Sequence, residues 1–212
     1  MAAALALLVA GAAALAAACP GAGSGTHLAC RGAGLSSLPP LHDRLVVVDV
    51  SNNNITSLPP DALQPAAGLR DLNLSANRLE SVSAGALSSA SLGRLWLDRC
   101  ALTLLPPMHL PRLHYLSVED NEVREVPAAT LAETRALRVL RLARNRLRAP
   151  PTAALAHTPR LQALNLASNE ISELTSTSLP ALSSLHTLIL KRNRITHIDE
   201  RAFVNTPALR VL

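Results

Sequence analysis

Histidine and cysteine are the residues of this chain best suited to metal or nucleophilic chemistry, and their spacing does not favour either. Zinc sites combine these side chains at short, regular separations, but no histidine here stands at ligand spacing from a cysteine, aspartate or glutamate. The residues are His27, His42, His109, His114, His157, His186, His197, Cys19, Cys30 and Cys100. P-loop, G-x-S-x-G and glycine-rich dinucleotide patterns are also missing from the sequence. We therefore expect that the protein is not an enzyme and binds neither a metal ion nor a cofactor.

A leucine phrase of the form L-x-x-L-x-L organises the chain instead. It opens at Leu45, Leu69, Leu92, Leu113, Leu137, Leu161, Leu185 and Leu209, at intervals of 24, 23, 21, 24, 24, 24 and 24 residues. A repeat of this length, with one short strand and one return segment per unit, is typical of a leucine-rich-repeat solenoid. The sequence predicts a curved, right-handed α/β solenoid with a parallel concave β-sheet and short irregular or helical convex segments.

Further columns keep the same register. Apolar residues recur 13 and 18 positions after most opening leucines, as at Leu58 and Leu63. An asparagine column follows the strands at Asn53, Asn77, Asn121, Asn145, Asn169 and Asn193, with Cys100 in the third unit. We expect these amides to satisfy backbone groups inside the stack. Cys100 is interpreted as a buried thiol that replaces asparagine, rather than as a reactive one.

The N-terminal part predicts two segments ahead of the solenoid. Residues 1–18 are apolar and end in three alanines, which indicates a secretory signal peptide although no basic residue precedes Cys19. Residues 19–44 are expected to form a cap in which Cys19 and Cys30 close a small disulfide loop. Residues 45–212 then form seven repeats and a truncated eighth, whose end in mid-strand indicates a fragment of a longer protein.

The phrase LxxLxLxxNxLxxL, with Ala202-Phe203 near the end of a unit, resembles the typical class of extracellular animal leucine-rich-repeat proteins. Leu28-Ala29-Cys30 followed by residues 34–40 resembles the second half of the N-terminal cap of that class. Small leucine-rich proteoglycans and chondroadherin-like proteins usually have four cysteines in this cap. The two-cysteine cap of this chain is more similar to that of some Toll-like receptors and of cell-surface proteins that tether latent growth factors.

Residues that alternate with the buried leucines should face outward from the concave sheet. The chain has one tryptophan and one tyrosine, and both Trp96 and Tyr115 fall on this face in adjacent units. Trp, Tyr and Arg are enriched in protein-binding hot spots, so we predict a protein-binding site there; the alternative is simple packing on neighbouring strands. The other predicted members are Arg94, Asp98, Arg99, Glu119 and Arg141.

An arginine-rich stretch, residues 135–148, supports a second hypothesis. Its six arginines favour an anion site for a sulfated glycan or an acidic protein. The register also places Asp120 beside Arg144 and Glu122 beside Arg146, so charge pairs would neutralise part of the patch; we prefer this interpretation. The net charge of +5 is too small to indicate nucleic acid.

Two N-glycosylation sequons begin at Asn54 and Asn73. A glycan on Asn73, which lies on the predicted concave face, would direct a partner toward units three to seven. The sequence as a whole predicts an extracellular protein-binding module that acts as a secreted, matrix-type protein. The alternative is the ectodomain of a single-pass cell-surface receptor or co-receptor, and an intracellular scaffold is a third, less favoured class.

Overall fold

The structure, a computed structural model, describes Cys19, residues 25–83 and residues 85–212. Its main element is an eight-stranded, all-parallel sheet whose strands lie side by side in chain order. These strands are β1 (His27–Ala29), β2 (Val47–Asp49), β4 (Asp71–Asn73), β6 (Arg94–Trp96), β7 (Tyr115–Ser117), β8 (Val139–Arg141), β9 (Ala163–Asn165) and β11 (Thr187–Ile189). The predicted solenoid is confirmed, and the signal peptide predicted for residues 1–18 lies outside the described residues.

The strands are in register because one apolar residue per unit, Val48 in β2 and a leucine in each of the other strands, occupies the same inward position. Leu72 pairs with Leu95, Leu95 with Leu116, and Leu116 with Leu140. These side chains are at most 1% exposed, and a shift of one residue would turn every one of them toward solvent. The leucine period therefore determines which residues form the core and which face the concave side.

Return segments between the main strands contain little regular structure. Two short parallel pairs lie there, β3 (Ser57–Leu58) with β5 (Ser81–Val82) and β10 (Glu173–Leu174) with β12 (His197–Ile198). Two single-turn helices, α1 (Ala128–Leu131) and α2 (Thr152–Leu155), each follow a proline, which is a preferred residue at helix starts. Among the described helices, none is long and apolar enough to cross a membrane.

Asparagines of the column bind adjacent units together through the backbone. The Asn77 side-chain nitrogen donates to the carbonyls of Val50 at 3.0 Å and Leu74 at 2.7 Å, and its oxygen accepts the Ile55 N–H at 3.0 Å. Equivalent bonds occur at Asn53, Asn121, Asn145, Asn169 and Asn193. Because buried backbone groups need partners, each amide satisfies peptide groups that the turn would leave unpaired.

Residues just before this column adopt the left-handed backbone conformation. Their φ angles lie between 54° and 60°. They are Asn52, Ala76, Arg99, Asp120, Arg144, Ser168 and Arg192. Only Asn52 and Asp120 belong to the residue types that tolerate this region readily, so at the other five positions the turn is imposed by the stack rather than by local preference.

Cys100 fills the asparagine position of the third unit with a different set of bonds. Its thiol donates to the Leu74 carbonyl at 3.3 Å. It has no amide oxygen, and the Leu79 N–H donates instead to the Cys100 carbonyl at 3.2 Å. Burial raises the pKa of the Cys100 thiol to about 11, because a thiolate would be poorly solvated there.

We expect the free energy of unfolding to fall by roughly 2 kcal/mol between pH 9 and pH 11 because of this thiol. Well below pH 9 the thiol keeps its proton in both the folded and the unfolded state, and its full contribution to the free energy of unfolding is present. Above pH 9 the thiol of the unfolded chain, with an ordinary pKa of 9.0, loses its proton while the buried thiol of the folded chain keeps it. The stabilisation of the folded state by this thiol is therefore lost as the pH rises toward the folded-state pKa of about 11. Urea unfolding at pH 8 and pH 10.5 measures the change. Cys100→Asn is the control, and an equal fall in that variant would contradict the assignment.

At the N-terminal end of the sheet, Cys19 and Cys30 form a disulfide with their Cα atoms 4.3 Å apart. Both cysteines are fully buried. Cys30 directly follows β1, which pairs with β2 and so supplies the first strand of the sheet. The predicted cap, residues 19–44, thus contributes both a buried disulfide and the first strand of the sheet.

Candidate binding surface

The two aromatic residues of the concave face lie in contact. The rings of Trp96 on β6 and Tyr115 on β7 have centroids 5.2 Å apart and are tilted by 44°. Both residues are half-buried. The strand register pairs Tyr115 with Arg94 and Trp96 with Ser117, so the aromatic rings meet diagonally across the two strands. Such tilted pairs are favourable arrangements of aromatic rings.

Arg94 borders this aromatic pair. Its guanidinium carbon lies 5.6 Å from the centroid of the Trp96 ring, which is within cation–π range. Its Nε also donates to Asp71 of the preceding unit at 2.7 Å, and this hydrogen bond raises the pKa of Arg94. Asp71 therefore holds the guanidinium beside the indole.

Glu119 was predicted as a contact residue, but it is only 6% exposed. Arg141 and Arg144 of the next unit cover its carboxylate, at 2.7 Å and 3.0 Å respectively. The Asn165 side chain donates to it at 3.2 Å. Arg141 also donates to the Tyr115 hydroxyl at 3.5 Å. Glu119 is therefore placed to orient the arginines around the aromatic pair rather than to touch a partner.

Asp98 and Arg99 occupy different environments. One Asp98 oxygen accepts hydrogen bonds from the Ser117 hydroxyl at 2.6 Å and from the Glu119 N–H at 2.7 Å. The carboxylate therefore satisfies polar groups at the C-terminal end of β7. Arg99 lies exposed in the following left-handed turn. It forms no ion pair among the described residues. The structure brings Arg94, Trp96, Tyr115, Glu119 and Arg141 into one cluster, which we call the aromatic cluster.

An apolar hollow of about 170 Å³ lies on the same face, next to Arg141. Its lining includes Val139, Ala163 and Ile189 from three successive strands. Short side chains at the centre create the depression. The concave face thus has an aromatic and charged part on β6 and β7 and an apolar part on β8, β9 and β11.

The arginine-rich stretch is divided by the fold. Arg144 forms a paired hydrogen bond with Asp120, with one N–O distance of 2.8 Å, and this bond lowers the pKa of Asp120 and raises that of Arg144. Arg146 pairs with Glu122 at 3.2 Å. Three of the six arginines are therefore paired: Arg144 and Arg146 at the turns, as the register predicts, and Arg141 on β8 with Glu119.

The two sequons differ in accessibility. Asn54 is exposed in the turn after β2. Asn73 is half-buried within β4, and its side-chain oxygen accepts the Ser75 N–H at 3.0 Å. This geometry favours Asn54 as the acceptor of a glycan.

A parallel sheet of repeated units with a continuous, side-chain-rich concave face defines a solenoid repeat protein. The family model described as "Leucine rich repeat" matches residues 43–102, 111–171 and 159–212. This chain belongs to the leucine-rich-repeat family.

Relatives and solved structures agree with this assignment. Mouse keratocan is 32% identical over 128 residues, which are 59% of this chain and 30% of keratocan. Toll in the Toll–Spatzle complex, from work on Drosophila, has a TM-score of 0.76 and 30% identity over 84% of this chain and 25% of its own chain. Internalin C2 of Listeria monocytogenes has a TM-score of 0.71 and 26% identity, with 88% and 80% covered. The chain thus spans about a third of the keratocan sequence.

Proposed function

We propose that this protein is an extracellular, non-enzymatic binding module that recognises a protein ligand through its concave face. The aromatic cluster is the observation that supports this most directly. Solenoids of this kind fill their core with leucine, so neither Trp96 nor Tyr115 is needed for packing inside the stack. Both remain half-buried on the open face, where Trp, Tyr and Arg commonly dominate binding energy.

The immediate surroundings of the cluster favour a protein over a small molecule. Arg94 and Arg141 are already oriented by Asp71 and Glu119, so little side-chain freedom is lost on binding. The adjacent apolar hollow is shallow and open, and it can accept an apolar side chain from a partner. A hot-spot pair beside an apolar depression is typical of protein interfaces.

We expect Trp96→Ala and Tyr115→Ala each to weaken binding by about 30-fold, which corresponds to roughly 2 kcal/mol for a hot-spot residue. The reason is the loss of a rigid, partly desolvated ring at the centre of the interface. Binding of the labelled chain to matrix laid down by cultured cells, and to intact cells, provides the measurement.

Leu104→Ala is the matched control for this experiment. Leu104 belongs to the same repeat as Trp96 and is 50% exposed in the return segment, so its truncation removes exposed apolar surface away from the concave face. Wild-type binding by both aromatic variants would refute the proposed site. Equal loss in Leu104→Ala would show that the measured binding does not use the concave face.

The setting we propose first is a secreted, matrix-type protein, in line with the similarity to keratocan. A cell-surface receptor or co-receptor is the alternative, supported by the disulfide of Cys19 and Cys30 and by the similarity to Toll in its complex with Spatzle. Recovery of the endogenous protein from culture medium supports the first, and its recovery from the membrane fraction supports the second. Glycosylation at Asn54 is expected in either setting.

A further inference from the structure

One lateral edge of the solenoid, where the main strands begin, has a strong positive charge. The five residues before each of the seven strands from β2 to β11, and before Val211, contain seven arginines and one acidic residue, Asp43. The arginines are Arg44, Arg70, Arg112, Arg135, Arg138, Arg160 and Arg210. We call this row the arginine edge.

Backbone hydrogen bonds align this edge unit by unit. The N–H of Arg70 donates to the Val46 carbonyl, that of Gly93 to Arg70, that of His114 to Gly93, and that of Arg138 to His114, at 2.8–3.0 Å. The row continues through Gln162, His186 and Arg210 at 2.8–2.9 Å. Adjacent parallel strands lie about 4.8 Å apart, so the row extends for roughly 30 Å.

These cations lack the internal partners found elsewhere in the molecule. All seven arginines are exposed, and the ion pairs of the described residues include none of them. At the opposite edge, where the strands end, Arg144, Arg146 and Arg194 each pair with a carboxylate of the preceding unit. Other exposed arginines such as Arg99 are also without an ion pair, but the arginine edge combines seven of them with one acidic residue, Asp43.

A hollow of about 850 Å³ lies in this edge between Arg70 and Arg112. Its floor is low because Gly68 and Gly93 have no side chains, and a Cβ atom on Gly93 would lie 2.7 Å from the His114 ring. Asp71 is the acidic residue in its lining, and its carboxylate is already bound by Arg94. The hollow thus offers two unpaired guanidinium groups around an open floor.

We propose that the arginine edge binds a linear sulfated polysaccharide, with the hollow between Arg70 and Arg112 as its anchor. Guanidinium groups donate paired hydrogen bonds to oxyanions, and seven exposed arginines distributed along one edge can contact several sulfates of a linear polymer. Single-stranded nucleic acid usually also requires aromatic stacking. Trp96 and Tyr115 lie instead on the concave strands, and Phe203 lies in a return segment.

The test is heparin binding by the full chain, with Arg70→Ser/Arg112→Ser compared with Arg146→Ser/Arg194→Ser. Both double variants remove two positive charges, but the second pair lies at the opposite edge and is bound to Glu122 and Glu170. We expect the first variant to lose roughly tenfold or more in affinity and to elute from heparin at lower salt. The second should change by less than about twofold, and thermal unfolding of both should match the wild type.

Equal losses in the two double variants would overturn the proposal, since net charge alone would then explain binding. Unchanged affinity in both double variants would also overturn the proposal, as would equal binding of heparin and fully desulfated heparin by the wild type. Tighter binding of a single-stranded RNA oligonucleotide than of heparin, with the same dependence on Arg70 and Arg112, would replace the glycan with nucleic acid. Tyr115→Ala should bind heparin normally, because Tyr115 does not line the hollow, and this separates the proposal from the one for the concave face.

Discussion

Replacing Asn121 by alanine should destabilise the protein by roughly 3–5 kcal/mol, because it removes partners from several buried backbone groups at once. The side-chain nitrogen donates to the carbonyls of Leu97, Val118 and Glu119 at 2.8–3.2 Å. Its oxygen accepts the N–H groups of Cys100 and Leu102 at 2.9 and 3.0 Å. Alanine provides neither donor nor acceptor. Urea unfolding followed by circular dichroism measures the loss.

Gln162→Ala is the control for this substitution. Gln162 has an exposed side-chain amide with no hydrogen bond among the described residues, and its truncation should change stability by less than about 0.5 kcal/mol. Asn121→Cys gives a second test, because Cys100 shows that the column accepts a thiol donor. Asn121→Cys should lose less free energy of unfolding than Asn121→Ala. If Asn121→Ala unfolds at the same urea concentration as Gln162→Ala, the asparagine column does not stabilise the stack as described.

Leu95→Ala should lower the free energy of unfolding by about 2–5 kcal/mol. Trp96 is the next residue and has a larger side chain, but Trp96→Ala should lower it by less than about 1.5 kcal/mol. Leu95 is fully buried between Leu72 and Leu116, and its truncation leaves a cavity that two neighbouring units cannot fill. Trp96 is half-buried on the open face, so water replaces the lost ring.

The two variants serve as each other's control, since both positions lie on β6 and their side chains point to opposite faces of the sheet. Urea midpoints of both variants, measured on the same preparation as the wild type, provide the comparison. An equal or greater loss from Trp96→Ala would mean that the indole belongs to the core, and the proposed concave site would lose its main support.

Inward positions could be predicted from sequence because periodicity alone determines them. The opening leucines, the asparagine column and the pairs Asp120–Arg144 and Glu122–Arg146 depend only on which residues share a register. The exposure of outward positions depends on neighbours in the next unit and was harder to predict. Glu119 was expected to be exposed, but it is covered because Arg141 and Arg144 fold over it.

Two features had no simple sequence signal. The left-handed turn column is occupied by residues such as Ala76 and Arg144, whose types do not indicate that conformation. The arginine edge is also hidden in the linear sequence, because its members are separated by 20 or more residues in most cases. In contrast, the conspicuous stretch 135–148 is divided between the two edges, with Arg135 and Arg138 on one and Arg144 and Arg146 at the other.

The placement of the only tryptophan gives this protein an intrinsic optical reporter. In most proteins indole emission reports mainly on core packing, but here the core contains no indole and the single emitter lies on the face proposed to meet a partner. Tyr115, the only tyrosine, lies 5.2 Å away and can pass excitation to it. A ligand that covers the concave face should therefore shift the emission of the unmodified chain.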